Sequence, residues 1–210
     1  MAYSEFTLYD VKQRWHLSID ETTDLFSTIP EVAVSHWLTE TLQETLPLTL
    51  ALSTEKSRSE LLSAPLLVEL RKRTGYQVSV FSGVDFPVDA SQGLNGSCDF
   101  LVALSPEQLF VSTPVLIIVE AKNDNIKSGL AQCMATMVAA RLLNDREGTA
   151  IPIVYGAVTT GTTWRFLQLE ADVITLDRQE YYINRAPLLL GILLHMVGLH
   201  QAQRANVLQA

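Results

Sequence analysis

The chain has 210 residues, 48% of them hydrophobic and 18% charged, with a formal net charge of −8. That length predicts one principal domain, and the apolar fraction excludes a disordered, fibrous or low-complexity chain. Two cysteines, Cys98 and Cys133, with no CxxC pair, exclude a disulfide framework and fit a reducing compartment.

The charge is uneven along the chain. Residues 1–50 carry eight acids and two bases, whereas residues 51–210 carry fifteen acids and thirteen bases. An acidic, mainly helical N-terminal appendage over 1–50 is expected ahead of a core domain over 51–210. Within the first segment Asp20, Thr22 and Asp24 offer helix caps, and Trp37, Leu38 and Leu42 offer an apolar stripe. Residues 54–74 read as a helix ended by Gly75, with Arg71, Lys72 and Arg73 suiting the dipole of its last turn. Pro65 is expected to kink or interrupt it.

Beyond Gly75 the pattern changes to strands. Residues 77–82 (QVSVFS) alternate with period two, 83–96 carry turn residues, and 98–104 (CDFLVAL) form a second strand. Residues 114–122 (PVLIIVEAK) are the most apolar and read as a central strand. A helix is predicted over 127–144, strands over 151–159, 163–169 and 173–176, and a last helix over 186–201. Its apolar stretch 187–199 is too short to cross a bilayer and contains His195. The N-terminus has no basic start followed by an apolar run. A cytoplasmic protein with no membrane partner is expected. The element order predicts an α/β fold, a three-layer α/β/α sandwich around one mixed sheet.

The third strand carries the chemistry. Its apolar run ends at Glu120-Ala121-Lys122, and alternation puts Glu120 and Lys122 on one face. A carboxylate beside an ammonium at the end of a central strand is costly to bury, and it points to a site. Asp99 lies one strand earlier, and an antiparallel pairing would bring it beside Glu120. Two adjacent carboxylates favour a divalent cation such as Mg²⁺, with the Ala121 carbonyl as a further oxygen. Lys122 could then orient an attacking water or stabilise a phosphate.

Asp99…Glu120-Ala121-Lys122 resembles the D…(D/E)xK signature of the PD-(D/E)XK, or restriction-endonuclease-like, nuclease superfamily. The predicted order of helix, three strands, helix and strand is similar to that superfamily's core over 54–169. The resemblance implies a restriction-endonuclease-like fold, metal ligation by Asp99 and Glu120, and a catalytic Lys122. It implies a further ligand from the first core helix, where Glu60 stands, and a role for Gln132 on the helix after the signature. It also implies Mg²⁺, with Mn²⁺ as a substitute, and a nucleic-acid substrate, DNA ahead of RNA. Cys98 replaces the proline that often precedes the signature aspartate. Thr136 stands where some subfamilies carry a tyrosine. The stretch 155–176 resembles cyanobacterial proteins of the same fold.

Several of these residues also have plain structural readings. Glu120 with Lys122 could be a solvated ion pair, Glu60 could pair with Lys56 one helical turn away, and Gln132 could be a buried amide on backbone. Asp85 and Asp89 read as turn residues, and Asp124 or Asn125 as the cap of the next helix. His16, His36, His195 and His200 lack metal-ligand spacing, and the cysteines read as small buried hydrophobes. The acidity of the chain opposes duplex binding, since duplex-gripping proteins usually show a basic face. Two functions remain: a Mg²⁺-dependent nuclease, or a catalytically inactive nuclease-fold protein acting in binding or assembly. No recognition module is present, so sequence-specific cleavage would need a homodimer or a protein partner.

Overall fold

In the computed structural model the backbone is described for residues 2–207 and the side chains for residues 2–198. The strands are β1 (Ser18–Asp20), β2 (Ser79–Asp85), β3 (Ser97–Ala103), β4 (Val115–Ala121), β5 (Ile153–Thr159), β6 (Thr163–Glu170), β7 (Val173–Leu176) and β8 (Tyr181–Tyr182). The helices are α1 (Leu8–Arg14), α2 (His36–Leu52), α3 over 55–73, α4 (Ile126–Arg146) and α5 (Ala186–Val207). All eight strands join one mixed sheet in the order β1-β7-β6-β5-β4-β3-β2, with β8 beside β6. Strands β2, β3 and β4 form an antiparallel meander, and β4 then pairs in parallel with β5. Parallel neighbours need a crossover, and α4 supplies it.

Every residue of β4 is buried, as its unbroken apolar run predicts for a strand covered on both faces. One core holds α4, through Met134, Met137 and Val138, with Ile118, Val154 and Val158 of the sheet. The opposite core holds Leu66, Leu67 and Leu70 of α3 and Leu189 and Leu193 of α5 against Phe100, Val119 and Trp164. The segment 1–50 reads from its charge as an appendage, but its described residues, 2–50, are woven into both layers. Tyr3, Phe6, Val11 and Leu17 lie in the first core, and Phe26 and Leu38 in the second. Strand β1 extends the sheet by pairing in parallel with β7. The acids of this segment occupy its outer face, so its charge hides its buried anchors.

Two local features tune the frame. Val102 faces Ile117 while Ala103 faces Val115, so Leu116 is an extra residue in β4. This bulge turns both Leu116 and Ile117 into the same core. In α3, the helix winds wide over Ser59–Ser63 before resuming at Ala64–Arg73. Pro65 has no N–H for the carbonyl of Leu61 four residues earlier. That carbonyl instead accepts the Thr45 hydroxyl of α2 at 2.8 Å. The interruption expected at Pro65 is thus taken up one turn earlier, and the freed acceptor bolts α2 to α3.

The turn between β5 and β6 depends on Gly161, whose φ is +78°. A Cβ there would meet Arg58 Cβ and its carbonyl oxygen at 3.0 Å, on the first turns of α3. Gly161→Ala is expected to lose about 1–3 kcal/mol from the backbone conformation alone, with the contact adding to it. Gly148 has a similar φ of +70° but open space around it. In thermal unfolding, Gly161→Ala should therefore melt below Gly148→Ala. Equal melting points would show that α3 does not press on this turn.

Candidate functional site

The site is a fork in the sheet. The β3–β4 ladder runs to Phe100–Val119 and stops. Beyond it β3 stays paired with β2, through Val84–Cys98 and Asp85–Ser97. Asp99 fills the opening: its Oδ2 accepts the Ala121 N–H at 2.7 Å, where a strand carbonyl would otherwise stand. Ala121 itself offers only backbone. In an extended strand the N–H and C=O of one residue face the same edge, so its carbonyl is directed to the side of Asp99.

Glu120 is fully buried. Its Oε2 accepts from Gln132 Nε2 of α4 at 2.7 Å. The Oε1 oxygen of that amide accepts from Lys122 Nζ at 3.2 Å. The amide can serve both neighbours in only one orientation, because the ammonium only donates and an ionised carboxylate only accepts. Glu120 and Lys122 thus share a face, as strand alternation predicts, and Gln132 joins them. Lys122 reaches Gln132 across Gly129: a Cβ on Gly129 would meet Val158 Cγ1 of β5 at 2.7 Å, Lys122 Cγ at 3.0 Å and Lys122 Cε at 3.1 Å. The missing side chain is the groove in which the lysine stem lies.

Burial raises the Glu120 carboxyl well above the usual range, the adjacent Asp99 raises it further, and Lys122 opposes the rise. Glu120 Oε1 is buried and accepts no hydrogen bond, while the carboxyl as a whole lies within hydrogen-bonding reach of Asp99, a contact that only its protonated form can make as a donor. The Cys98 and Cys133 thiols are both raised by burial and then by the charge of Glu120, which places them in its surroundings as inert packing groups. Both are free and buried, as read from the sequence.

Glu60 is not brought to the fork. It lies exposed on α3 and pairs with Lys56 at 2.7 Å, the plain alternative for that residue. The acid of α3 whose charge reaches Glu120 is Glu55. Five residues of helix turn the side chain by roughly 140°, so Glu55 and Glu60 look in different directions. Thr54 caps the helix and fixes Glu55 in its first turn. Asn125 caps α4 through the Lys127 N–H, and Asp89 caps the short turn at Ala90–Gln92, as expected of them. His36 pairs with Glu40 on the surface and His195 packs on Phe26. The His200 side chain lies outside the described residues. No described helix is long and apolar enough to cross a membrane.

The oxygen donors suit a hard divalent ion. Among the described residues no group of three His, Cys, Asp or Glu side chains is arranged to hold a metal. Mg²⁺ asks for less, one or two carboxylates with retained waters. The unpartnered Glu120 Oε1 beside Asp99 is an acceptor with that need.

No protein-family model, curated protein or solved structure matches the chain.

Proposed function

We propose that the protein is a metal-dependent nuclease of restriction-endonuclease-like fold that hydrolyses phosphodiester bonds of nucleic acid. The observation that carries this reading is the fork, where a buried carboxylate oxygen without a partner lies beside a second carboxylate and within one amide of a lysine. Asp99, Glu120 and the Ala121 carbonyl would hold Mg²⁺ or Mn²⁺, and Glu55 stands within electrostatic reach. Such an ion lowers the pKa of bound water and neutralises charge on a phosphate. Lys122 provides a cation for the developing phosphate charge, and Gln132 holds its ammonium in place. The preference for DNA over RNA follows the signature resemblance alone.

The test is cleavage of supercoiled, linear and single-stranded DNA and of RNA, in Mg²⁺ and in Mn²⁺. Lys122→Ala is expected to lose about 10²–10³-fold in rate, the scale of one charge-stabilising group. No cleavage by the parent chain, or equal cleavage by both proteins, would overturn catalysis. It would favour the inactive alternative, a nuclease-fold binding or assembly protein, for which the net charge of −8 argues.

A further inference from the structure

Past Phe100 the segment that carries Asp99 has lost its β4 neighbour and is held in the sheet by β2 alone. A second grip comes from the N-terminus. Tyr3 is 1% exposed. Its hydroxyl donates to Phe86 O at 2.7 Å, and its N–H donates to Asn95 O at 3.0 Å. Phe86 and Asn95 lie on the two arms of the hairpin that continues β2 into β3, so one residue ties both arms. The Tyr3 ring also lies against Gly96, where a Cβ would meet Cδ2 at 3.3 Å. Twelve residues on, the tip of the same hairpin is clamped again. Trp15 Nε1 donates to Gln92 Oε1 at 3.2 Å, and Arg14 Nη1 donates to Gln92 O at 2.6 Å. Burial holds the Tyr3 phenol protonated, with Cys98 and Glu120 adding to the effect, so it stays a donor.

We infer that Tyr3 is a positioning residue for Asp99, and that residues 2–15 form a strap fixing the hairpin from which Asp99 enters the fork. The strap replaces the constraint lost where β3 leaves β4. The inference rests on the proposed metal site for its consequence in binding, but its geometric part does not need the nuclease reading.

The test uses the full chain with Tyr3→Ala, Tyr3→Phe and Gln92→Ala. Hydrogen exchange of the Ala121 amide reports the Asp99–Ala121 bond directly, and calorimetry with Mn²⁺ alone reports the metal site. In Tyr3→Ala, Ala121 should exchange about tenfold faster, the scale of one weakened hydrogen bond, while β6 amides are unchanged. Mn²⁺ affinity should fall about 10–100-fold, as for other groups that orient ligands from behind. Tyr3→Phe keeps the ring against Gly96 but loses the bond to Phe86 O, and should recover part of both. Gln92→Ala removes the Trp15 bond of the outer clamp and leaves the Arg14 bond to the backbone carbonyl, so it should reproduce the effect in smaller measure, even if Tyr3→Ala fails to fold. Unchanged Ala121 exchange in the variants, or acceleration shared equally with β6, would overturn the inference. Selective acceleration at Ala121 in the variants, with a parent chain that binds no Mn²⁺, would refute the metal-site reading and leave the positioning role standing.

Discussion

Glu120→Gln is expected to melt at a higher temperature than the parent chain at neutral pH, and to gain nothing from added Mg²⁺. Glu120 is fully buried, and one of its oxygens has no partner. Burial and the neighbouring Asp99 both disfavour a carboxylate in that place. An amide of the same shape removes the charge and can still accept from Gln132. Relief of such a site is commonly worth about 0.5–2 kcal/mol. For a chain of this length each kcal/mol moves the melting point by roughly 2–4 °C. In the parent chain Mg²⁺ at a hundred times its Kd would add about 2.7 kcal/mol. The two melting curves should therefore exchange order as Mg²⁺ is added. A variant less stable than the parent at every Mg²⁺ concentration would show that Glu120 serves the fold and not a site.

The same substitution has a pH signature. The folded-state pKa of Glu120 is raised, chiefly by burial and then by Asp99. Below the unfolded carboxyl pKa, near 4.3, both states carry the proton and the group costs nothing. As pH rises the unfolded chain releases its proton first, and stability is lost up to the raised folded pKa. The advantage of Glu120→Gln should thus be small near pH 4 and grow toward neutrality. Growth in the opposite direction would mean that Lys122 outweighs burial and Asp99.

The signature strand was legible because its chemistry interrupts a pattern: the apolar run breaks at Glu120 and resumes nowhere nearby. Gln132 was legible as a polar side chain on an otherwise apolar stretch of α4. Glu55 was not, because the choice between it and Glu60 depends on helix phase, which Thr54 sets by capping and Ser59–Ser63 then alter. The short strands β1 and β8 span three and two residues, and partners supply the rest of their stability. Tyr3 and Phe6 carried no periodicity to mark them as core. Gly129 reads in a helix only as a cost of about 1 kcal/mol, and its reasons, Val158 of β5 and the stem of Lys122, lie on other elements.

Asn144→Leu is expected to cost about 2–6 kcal/mol, from two buried backbone groups left unpaired at about 1–3 kcal/mol each. Asn144 is 1% exposed. Its Oδ1 accepts the Val115 N–H at 2.7 Å, and its Nδ2 donates to Val115 O at 2.8 Å. The amide thus stands in for a strand at the start of β4, next to the bulge at Leu116. Leucine has the same branching but bulkier methyl ends, so no cavity is left and crowding at the buried site adds to the loss. The fall in melting point should be roughly 10 °C. Asn144→Asp keeps the acceptor but sets a carboxylate against Val115 O, so it should recover part of its loss on acidification, when the protonated group can donate. The effect should reach the fork as well. From Gln132 to Asn144 the helix rises about 18 Å, and from Val115 to Glu120 the strand advances about 17 Å. These matched lengths let α4 be bolted to β4 at both ends, by Asn144 at one and by the Gln132–Glu120 bond at the other. Releasing the first bolt frees α4 to slide and should weaken the second. Folded Asn144→Leu should then lose Mn²⁺ affinity despite lying far from the carboxylates. A variant that is destabilised but keeps the parent's Mn²⁺ affinity would show that Gln132 is positioned by its own turn of the helix alone.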